Sequence, residues 1–151
     1  MKKSAVIFCI LLIGALFIVS CNNSSEVKHK EVKLSIGNSG KVVNAEVVDT
    51  YADRMNGLMF REELGEFDGM FFIFEDEVTR SFWMKNTLIP LDIIFLDSDM
   101  TVVKIQHAQP CEADPCPTFS SESPSKYVLE VNLGFSEKYD LNVGNRISYF
   151  S

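Results

Sequence analysis

The sequence is poor in the residues that most often build catalytic and metal sites. Its 151 residues include two histidines, His29 and His107, and four cysteines. It contains no glycine-rich phosphate loop, no G-x-S-x-G or H-E-x-x-H motif, and no serine with an evident base. The one arrangement that suggests metal ligands is His107 near Cys111 and Cys116. We therefore expect no cofactor and no metal site, and no motif makes a specific case for an enzyme.

Positive charge is scarce as well. The chain has 14 Lys and Arg against 21 Asp and Glu, which gives a net charge of -7. Residues 1–20 carry Lys2 and Lys3 and no acid, so their removal changes -7 to -9. Nucleic acid phosphates would repel a domain this acidic, and so would anionic lipid headgroups. The composition predicts no nucleic acid partner and indicates that any membrane attachment depends on a separate anchor.

The amino-terminal segment has the layout of an export signal. A basic start, Met1–Lys3, precedes the uncharged apolar run Ser4–Val19, and Ser20 precedes Cys21. The run has about 16 residues, fewer than the ~20 that span a bilayer comfortably. Because the residues before Cys21 resemble a bacterial lipobox, we predict a signal peptide at 1–20 and lipidation of Cys21. The alternative is an uncleaved membrane helix in which Cys21 is incidental.

Residues 21–31 are predicted to form a lipidated flexible tether, and 32–151 a globular domain. The polar tether reaches ~18 Å on average, so the domain would lie just off the membrane surface. Two or more acyl chains suffice for stable anchoring. We expect an exported monomer anchored in the bacterial cell envelope, on the periplasmic face of the outer membrane.

Short runs of alternating or continuous apolar residues predict a β-rich fold. The predicted strands are Glu31–Ile36, Lys41–Asp49, Gly69–Phe74, Val78–Met84, Leu91–Leu96, Thr101–Gln106, Lys126–Asn132 and Arg146–Phe150. We predict a mainly β domain with short helices, a compact barrel or sandwich of about seven to nine mostly antiparallel strands.

Helical spacing appears only in brief segments. Thr50 can cap a helix from Tyr51 to about Leu58, with Asp53 as its capping-box partner. Arg61–Leu64 and Phe135–Asp140 are predicted as further helical turns. Between the strands, Glu75–Glu77 is predicted as an acidic turn and Ala108–Ser125 as a long loop.

The cysteines have separate predicted fates. Cys9 leaves with the signal and Cys21 is acylated, so Cys111 and Cys116 remain together in the long loop. Export implies an oxidising compartment, so a disulfide is the default, with free thiols or metal and redox use as alternatives. A ring this small would contribute about 2 kcal/mol or less.

One polar and aromatic cluster is a candidate ligand cleft. It contains the only tryptophan, Trp83, followed by Lys85, Asn86, Thr87 and Asp92. An aromatic ring supplies apolar contact area and the polar groups fix a ligand's orientation. The structural alternative places Trp83 in the core and uses the polar residues to cap a turn.

Two carboxylates, Asp92 and Glu130, lie inside apolar strands. A buried acid is costly unless it is paired, so we expect Arg54, Arg61 or Arg80 as partners. A paired structural acid is favoured over a catalytic one. Four methionines, Met55, Met59, Met70 and Met84, could bind Cu(I), but core packing is the favoured interpretation.

Many of these residues occur together in a known family. They are Arg54, Gly57-Leu58-Met59, Arg61, Gly69-Met70-Phe71-Phe72, Phe82-Trp83-Met84-Lys85-Asn86-Thr87, Pro90-Leu91-Asp92, Pro110-Cys111, Cys116-Pro117, Tyr127-Val128-Leu129-Glu130-Val131, Gly134 and Gly144. Over roughly Val47–Tyr149 the chain resembles the bacterial and archaeal family called "domain of unknown function 192". The resemblance implies a compact β-rich domain, often exported or lipid-anchored, with no established activity.

Together these features predict a lipid-anchored binding or accessory domain of the envelope, whose partner is a small ligand or an envelope protein. Its cleft would be lined by Trp83, Lys85, Asn86, Thr87 and Asp92, with contributions from Arg54 and Glu130. One alternative is an enzyme that uses Asp92 or Glu130 as acid or base. The other is soft-metal binding by Met and His.

Overall fold

Seven strands and two short helices make up residues 30–150, the part of the chain that the computed structural model describes. The strands are β1 Glu31–Ile36, β2 Lys41–Val48, β3 Asp68–Trp83, β4 Leu91–Leu96, β5 Val102–Ala108, β6 Thr118–Asn132 and β7 Ile147–Tyr149. The helices are α1 Tyr51–Asn56 and α2 Phe135–Lys138. The predicted mainly β single domain is confirmed.

The strands form one sheet in the order β5-β4-β6-β3-β2-β1-β7. Every neighbouring pair is antiparallel except β2 and β3, which run parallel. A parallel pair needs a crossover connection, and helix α1 lies in it. The Thr50 hydroxyl accepts a hydrogen bond from the Asp53 backbone N–H at 3.2 Å, so the predicted cap begins this helix.

The sheet curls until its two edges meet at one end only. Thr101, just before β5, bridges to Arg146, just before β7. The Val102 N–H also donates to the Asn145 carbonyl at 2.8 Å. The predicted barrel is therefore a half-barrel, because the remaining lengths of β5 and β7 do not pair with each other.

Apolar side chains cover both faces of the sheet. Because side chains alternate along a strand, Phe71 and Ile94 pack in one cluster while Phe72 and Ile93 pack in the other. Each such buried side chain contributes ~1.5–3 kcal/mol relative to its exposed state. Strand β4 is buried along its whole length, as the continuous apolar run predicts.

Three local predictions are wrong. Glu75–Glu77 does not turn; it lies within β3, where a register shift between Ile73 and Val78 absorbs the polar residues. The predicted loop Ala108–Ser125 ends early, because residues 118–125 pair with the outer half of β3. Arg61–Leu64 forms no helix; Arg61 instead pairs with Glu46.

The predicted signal peptide 1–20, lipidated Cys21 and most of the tether 21–31 lie outside the described residues. Within residues 30–150, neither helix has the length and hydropathy to cross a membrane. Cys111 and Cys116 are joined by a disulfide with Cα atoms 5.5 Å apart.

Candidate functional site

A groove of about 380 Å³ opens beside Trp83. Helix α1 forms one wall and strand β3 the other, so the parallel crossover places the two elements side by side. Trp83 is 45% exposed, and it lies at the end of β3, where the strand leaves the sheet. The residues around the groove are Tyr51, Arg54, Met55, Phe72, Phe74, Asp76, Arg80, Ser81, Phe82 and Trp83. Half of these residues are aromatic, and three are charged: Arg54, Asp76 and Arg80.

A smaller recess of about 30 Å³ adjoins this groove and shares five lining residues with it: Arg54, Met55, Phe72, Phe82 and Trp83. Thr87 and Glu130 also line the recess. This space is large enough for about one water molecule. The structure thus brings four predicted cleft residues to one place, although they are distant in the sequence: Arg54, Trp83, Thr87 and Glu130.

Glu130 is the unusual group in the recess. Its strand, β6, pairs with β3 and β4, so Met70 and Ile93 flank it on either side. The side chain is 5% exposed, and among the described residues no hydrogen bond or ion pair reaches its carboxyl group. Burial without compensation raises the pKa of Glu130 to about 8. At neutral pH this acid therefore keeps its proton and can donate a hydrogen bond.

None of the three expected arginines forms an ion pair with Glu130. Arg61 pairs with Glu46 at 2.6 Å, and Arg80 pairs with Asp76 at 2.7 Å. Arg54 lines the same recess as Glu130, but its Nη1 donates to two backbone carbonyls, those of Asp49 and Ile73. The sequence correctly identified Glu130 as an acid that is costly to bury. It did not predict that the acid lowers this cost by staying protonated instead of pairing with an arginine.

Lys85 and Asn86 lie beside the groove without lining it. The Lys85 ammonium is 3.6 Å from the Asp114 carboxylate and 5.6 Å from the Trp83 ring centroid. Asn86 has a positive φ of 58°, which asparagine tolerates better than most residues. Its carbonyl accepts a hydrogen bond from the Phe60 N–H at 2.8 Å. Asn86 therefore shapes the turn after β3.

Asp92 lies on the other face of the sheet and does not face the groove. It is fully buried, and one carboxylate oxygen accepts from the Ser136 N–H and hydroxyl at 2.8 and 2.7 Å. The other oxygen is 2.7 Å from Nδ1 of His107. This contact fixes one imidazole nitrogen while 61% of the His107 side chain stays exposed. The pair ties β4 to β5 and to α2.

The His107 pairing was missed because it depends on strand register. Asp92 lies opposite His107 only because a bulge between Phe95 and Leu96 shifts the β4–β5 hairpin by one residue. Without the bulge, Gln106 would face Asp92. No residue type in the turn marks that bulge, so the sequence offered no signal for it.

The methionines and the cysteine loop fall into two environments. Met70 and Met84 are buried in the core cluster beneath the recess, whereas Met55 and Met59 line the recess itself. Cys111 packs against the same core cluster. Within residues 30–150, no group of three or more His, Cys, Asp or Glu side chains is placed to hold a metal ion.

A half-barrel sheet, an aromatic-lined groove beside Trp83 and a buried acid in the adjoining recess characterise this small β-rich domain. Residues 32–149 match the family DUF192, described as "Uncharacterized ACR". The chain belongs to this family, which carries no established function.

Three relatives illustrate the family. A "UPF0127 protein" from Thermococcus sibiricus is 27% identical over 105 residues, which span 68% of this chain and 64% of that protein. A crystal structure from Novosphingobium aromaticivorans, of unknown function, is 34% identical with a TM-score of 0.75 and covers 82% of this chain and 88% of its own. A Sinorhizobium meliloti structure, provisionally named a transcription regulator, is 31% identical with a TM-score of 0.75 and covers 82% and 97%.

Proposed function

We propose that this chain is a lipid-anchored envelope protein whose β-rich domain binds a small ligand in the groove beside Trp83. The binding part rests on the Glu130 recess. A buried polar group without a protein hydrogen-bond partner, in a recess that adjoins an aromatic-lined groove, is an arrangement by which ligand sites combine apolar contact with orientation. Since no described residue hydrogen-bonds to the Glu130 carboxyl, this polar group is free to pair with a ligand atom, or with a water molecule that a ligand contacts, in the adjoining recess.

The proposed location rests on the sequence. The basic, apolar and small-residue segments at 1–20 precede Cys21 in the order of an export signal. Strand β1 begins at Glu31, where the proposed tether ends. The net charge of -7 disfavours nucleic acid, so the name of the Sinorhizobium meliloti relative is not carried over. We propose a monomer attached to the membrane through its lipid.

The location is tested with a Cys21→Ser variant expressed in a bacterial host. The wild-type protein should appear in the membrane fraction with a mass that fits loss of residues 1–20 and gain of acyl chains. The variant should retain residues 1–20 and lack acyl mass. A Cys21→Ser protein that is fully processed and still membrane-bound would refute the lipid anchor.

Ligand binding is tested through the single tryptophan. Fluorotryptophan labelling of the full chain gives one ¹⁹F resonance, from Trp83, because the sequence has one Trp. With the chain held in nonionic detergent, 4-phenylbutanol should shift this resonance saturably. Ser81→Leu should weaken the effect, because Ser81 lines the groove, whereas Ser148→Leu should not, because Ser148 is an exposed residue of distant β7. An unsaturable shift, or one unchanged in Ser81→Leu, would refute the binding site.

One observation favours an enzyme as the second candidate. Glu130 has a raised pKa and shares a recess with Arg54, and acid–base catalysts are tuned toward neutrality in this way. A panel of 4-nitrophenyl esters and glycosides tests this candidate. Turnover that disappears in Glu130→Gln but persists in the exposed control Glu137→Gln would favour an enzyme over a binding domain.

A further inference from the structure

We infer that the groove beside Trp83 selects an apolar molecule that carries a carboxylate, with Arg54 as the group that binds the carboxylate. This inference rests on the proposed function and adds the chemical class of the ligand. It follows from the charges around the groove and from the hydrogen-bond donors that Arg54 leaves unused.

The charges that line the groove do not cancel. Arg80 and Asp76 form an ion pair at 2.7 Å, and this hydrogen bond lowers the pKa of Asp76 and keeps it ionised. Arg54 forms no ion pair with any described residue, and its hydrogen bonds go to two backbone carbonyls. Glu130 adds no negative charge while it holds its proton. One positive charge is left over, which complements an anion.

The free donors of Arg54 have the geometry that a carboxylate needs. Both bonds to the Asp49 and Ile73 carbonyls come from Nη1, at 2.6 and 2.8 Å. Among the described residues nothing accepts from Nε or Nη2. Those two nitrogens form one edge of the planar guanidinium, which binds carboxylate oxygens in a bidentate manner. The two carbonyl contacts hold the side chain in place, so little entropy is lost when a ligand binds.

The walls disfavour a ligand cation and suit an apolar body. The guanidinium groups of Arg54 and Arg80 lie over the Phe74 ring, 5.0 and 3.5 Å from its centroid. A cationic ligand at this ring would meet two positive charges. Tyr51 and Trp83 are exposed at 76% and 45% beside the groove, and they offer apolar surface to the rest of the molecule.

The experiment compares three probes of one shape and different charge on the fluorotryptophan-labelled full chain. The probes are 4-phenylbutyrate, 4-phenylbutanol and 4-phenylbutylamine. A charge-assisted bidentate contact should make the carboxylate bind about tenfold more tightly than the alcohol, and the amine should bind most weakly. Added salt should reduce the preference for the carboxylate.

Two variants assign the preference to a residue. Arg54→Met should reduce carboxylate affinity to that of the alcohol and leave alcohol binding in place. Lys85→Met is the matched control, because Lys85 is a nearby cation already paired with Asp114. If Arg54→Met unfolds, the probe series and its salt dependence in the wild-type chain still decide the charge preference.

The outcomes separate the two proposals. If the alcohol binds but the carboxylate has no advantage, or the amine binds best, the inference fails and the groove remains a ligand site. If Lys85→Met removes the preference and Arg54→Met does not, the assignment to Arg54 is wrong. If none of the three probes shifts the Trp83 resonance, both proposals fail.

Discussion

The protonated state of Glu130 predicts a specific dependence of stability on pH. Burial raises the pKa of Glu130 from 4.5 to about 8 in the folded chain, whereas the unfolded chain exposes the acid to water. Between these values the folded chain binds a proton that the unfolded chain releases. The stability from this group is therefore fully present below pH 4.5 and is lost as the pH rises through about 8.

The size of this stability loss follows from the shift in the pKa of Glu130 between the unfolded and the folded chain. Each pKa unit corresponds to ~1.4 kcal/mol, so the loss across the whole interval is of the order of 5 kcal/mol. That loss equals the entire free energy of unfolding of a marginally stable domain, which is ~5 kcal/mol. Glutamine does not titrate, so in the Glu130→Gln variant position 130 should add no pH dependence to the free energy of unfolding over the same interval.

The assay is urea denaturation of the full chain in nonionic detergent, followed by far-UV circular dichroism at about pH 5 and about pH 8. Wild type and Glu130→Gln should be similar at the lower pH, and the variant should be several kcal/mol more stable at the higher one. Exposed Glu137→Gln serves as control and should follow the wild type. Parallel pH profiles for wild type and Glu130→Gln would refute the assignment of a proton to Glu130.

Three further predictions concern the scaffold, each measured by the same denaturation assay. Asp92→Asn should destabilise the fold by about 2–3 kcal/mol, because the carboxylate accepts two bonds from Ser136; an unchanged midpoint would contradict this. Gly69→Ala should lower the free energy of unfolding by about 1–3 kcal/mol, since a Cβ there would lie 2.8 Å from the backbone oxygen of Glu130 on the neighbouring strand; unchanged stability would show that β3 and β6 can move apart at this point without loss. Reduction of Cys111–Cys116 should cost about 2 kcal/mol or less, as the ring is small; global unfolding would contradict this.

The strands that bury at least one face could be predicted, because apolar periodicity records burial directly. Leu91–Leu96 is continuous in apolar residues and is buried on both faces in the structure. Residues 118–125 could not be predicted, since this arm of β6 buries serines and not a run of apolar side chains, and its Ser and Pro residues are typical of a loop. The order of the strands was also unpredictable, because pairing partners distant in sequence leave no local pattern.

The candidate site was predictable in part for a similar reason. An acid within an apolar strand signals something unusual at Glu130, and Trp83 signals a contact surface. What the residues could not specify is which face each side chain occupies. Asp92 and Glu130 both interrupt apolar strands, yet they face opposite sides of the sheet. The buried Asp92 carboxylate is stabilised by hydrogen bonds, whereas Glu130 avoids a buried charge by keeping its proton.

The neighbouring positions of β1 and β7 affect the order in which the chain can assemble. The Phe150 N–H donates to the Lys33 carbonyl at 2.8 Å, so the sheet joins segments separated by nearly the whole described chain. Pairings of such wide sequence separation require loop closure before they contribute any stability, and they form slowly. If the chain is exported unfolded through the proposed signal peptide, this delay would favour translocation. The sheet would then be completed only after β7 had crossed the membrane.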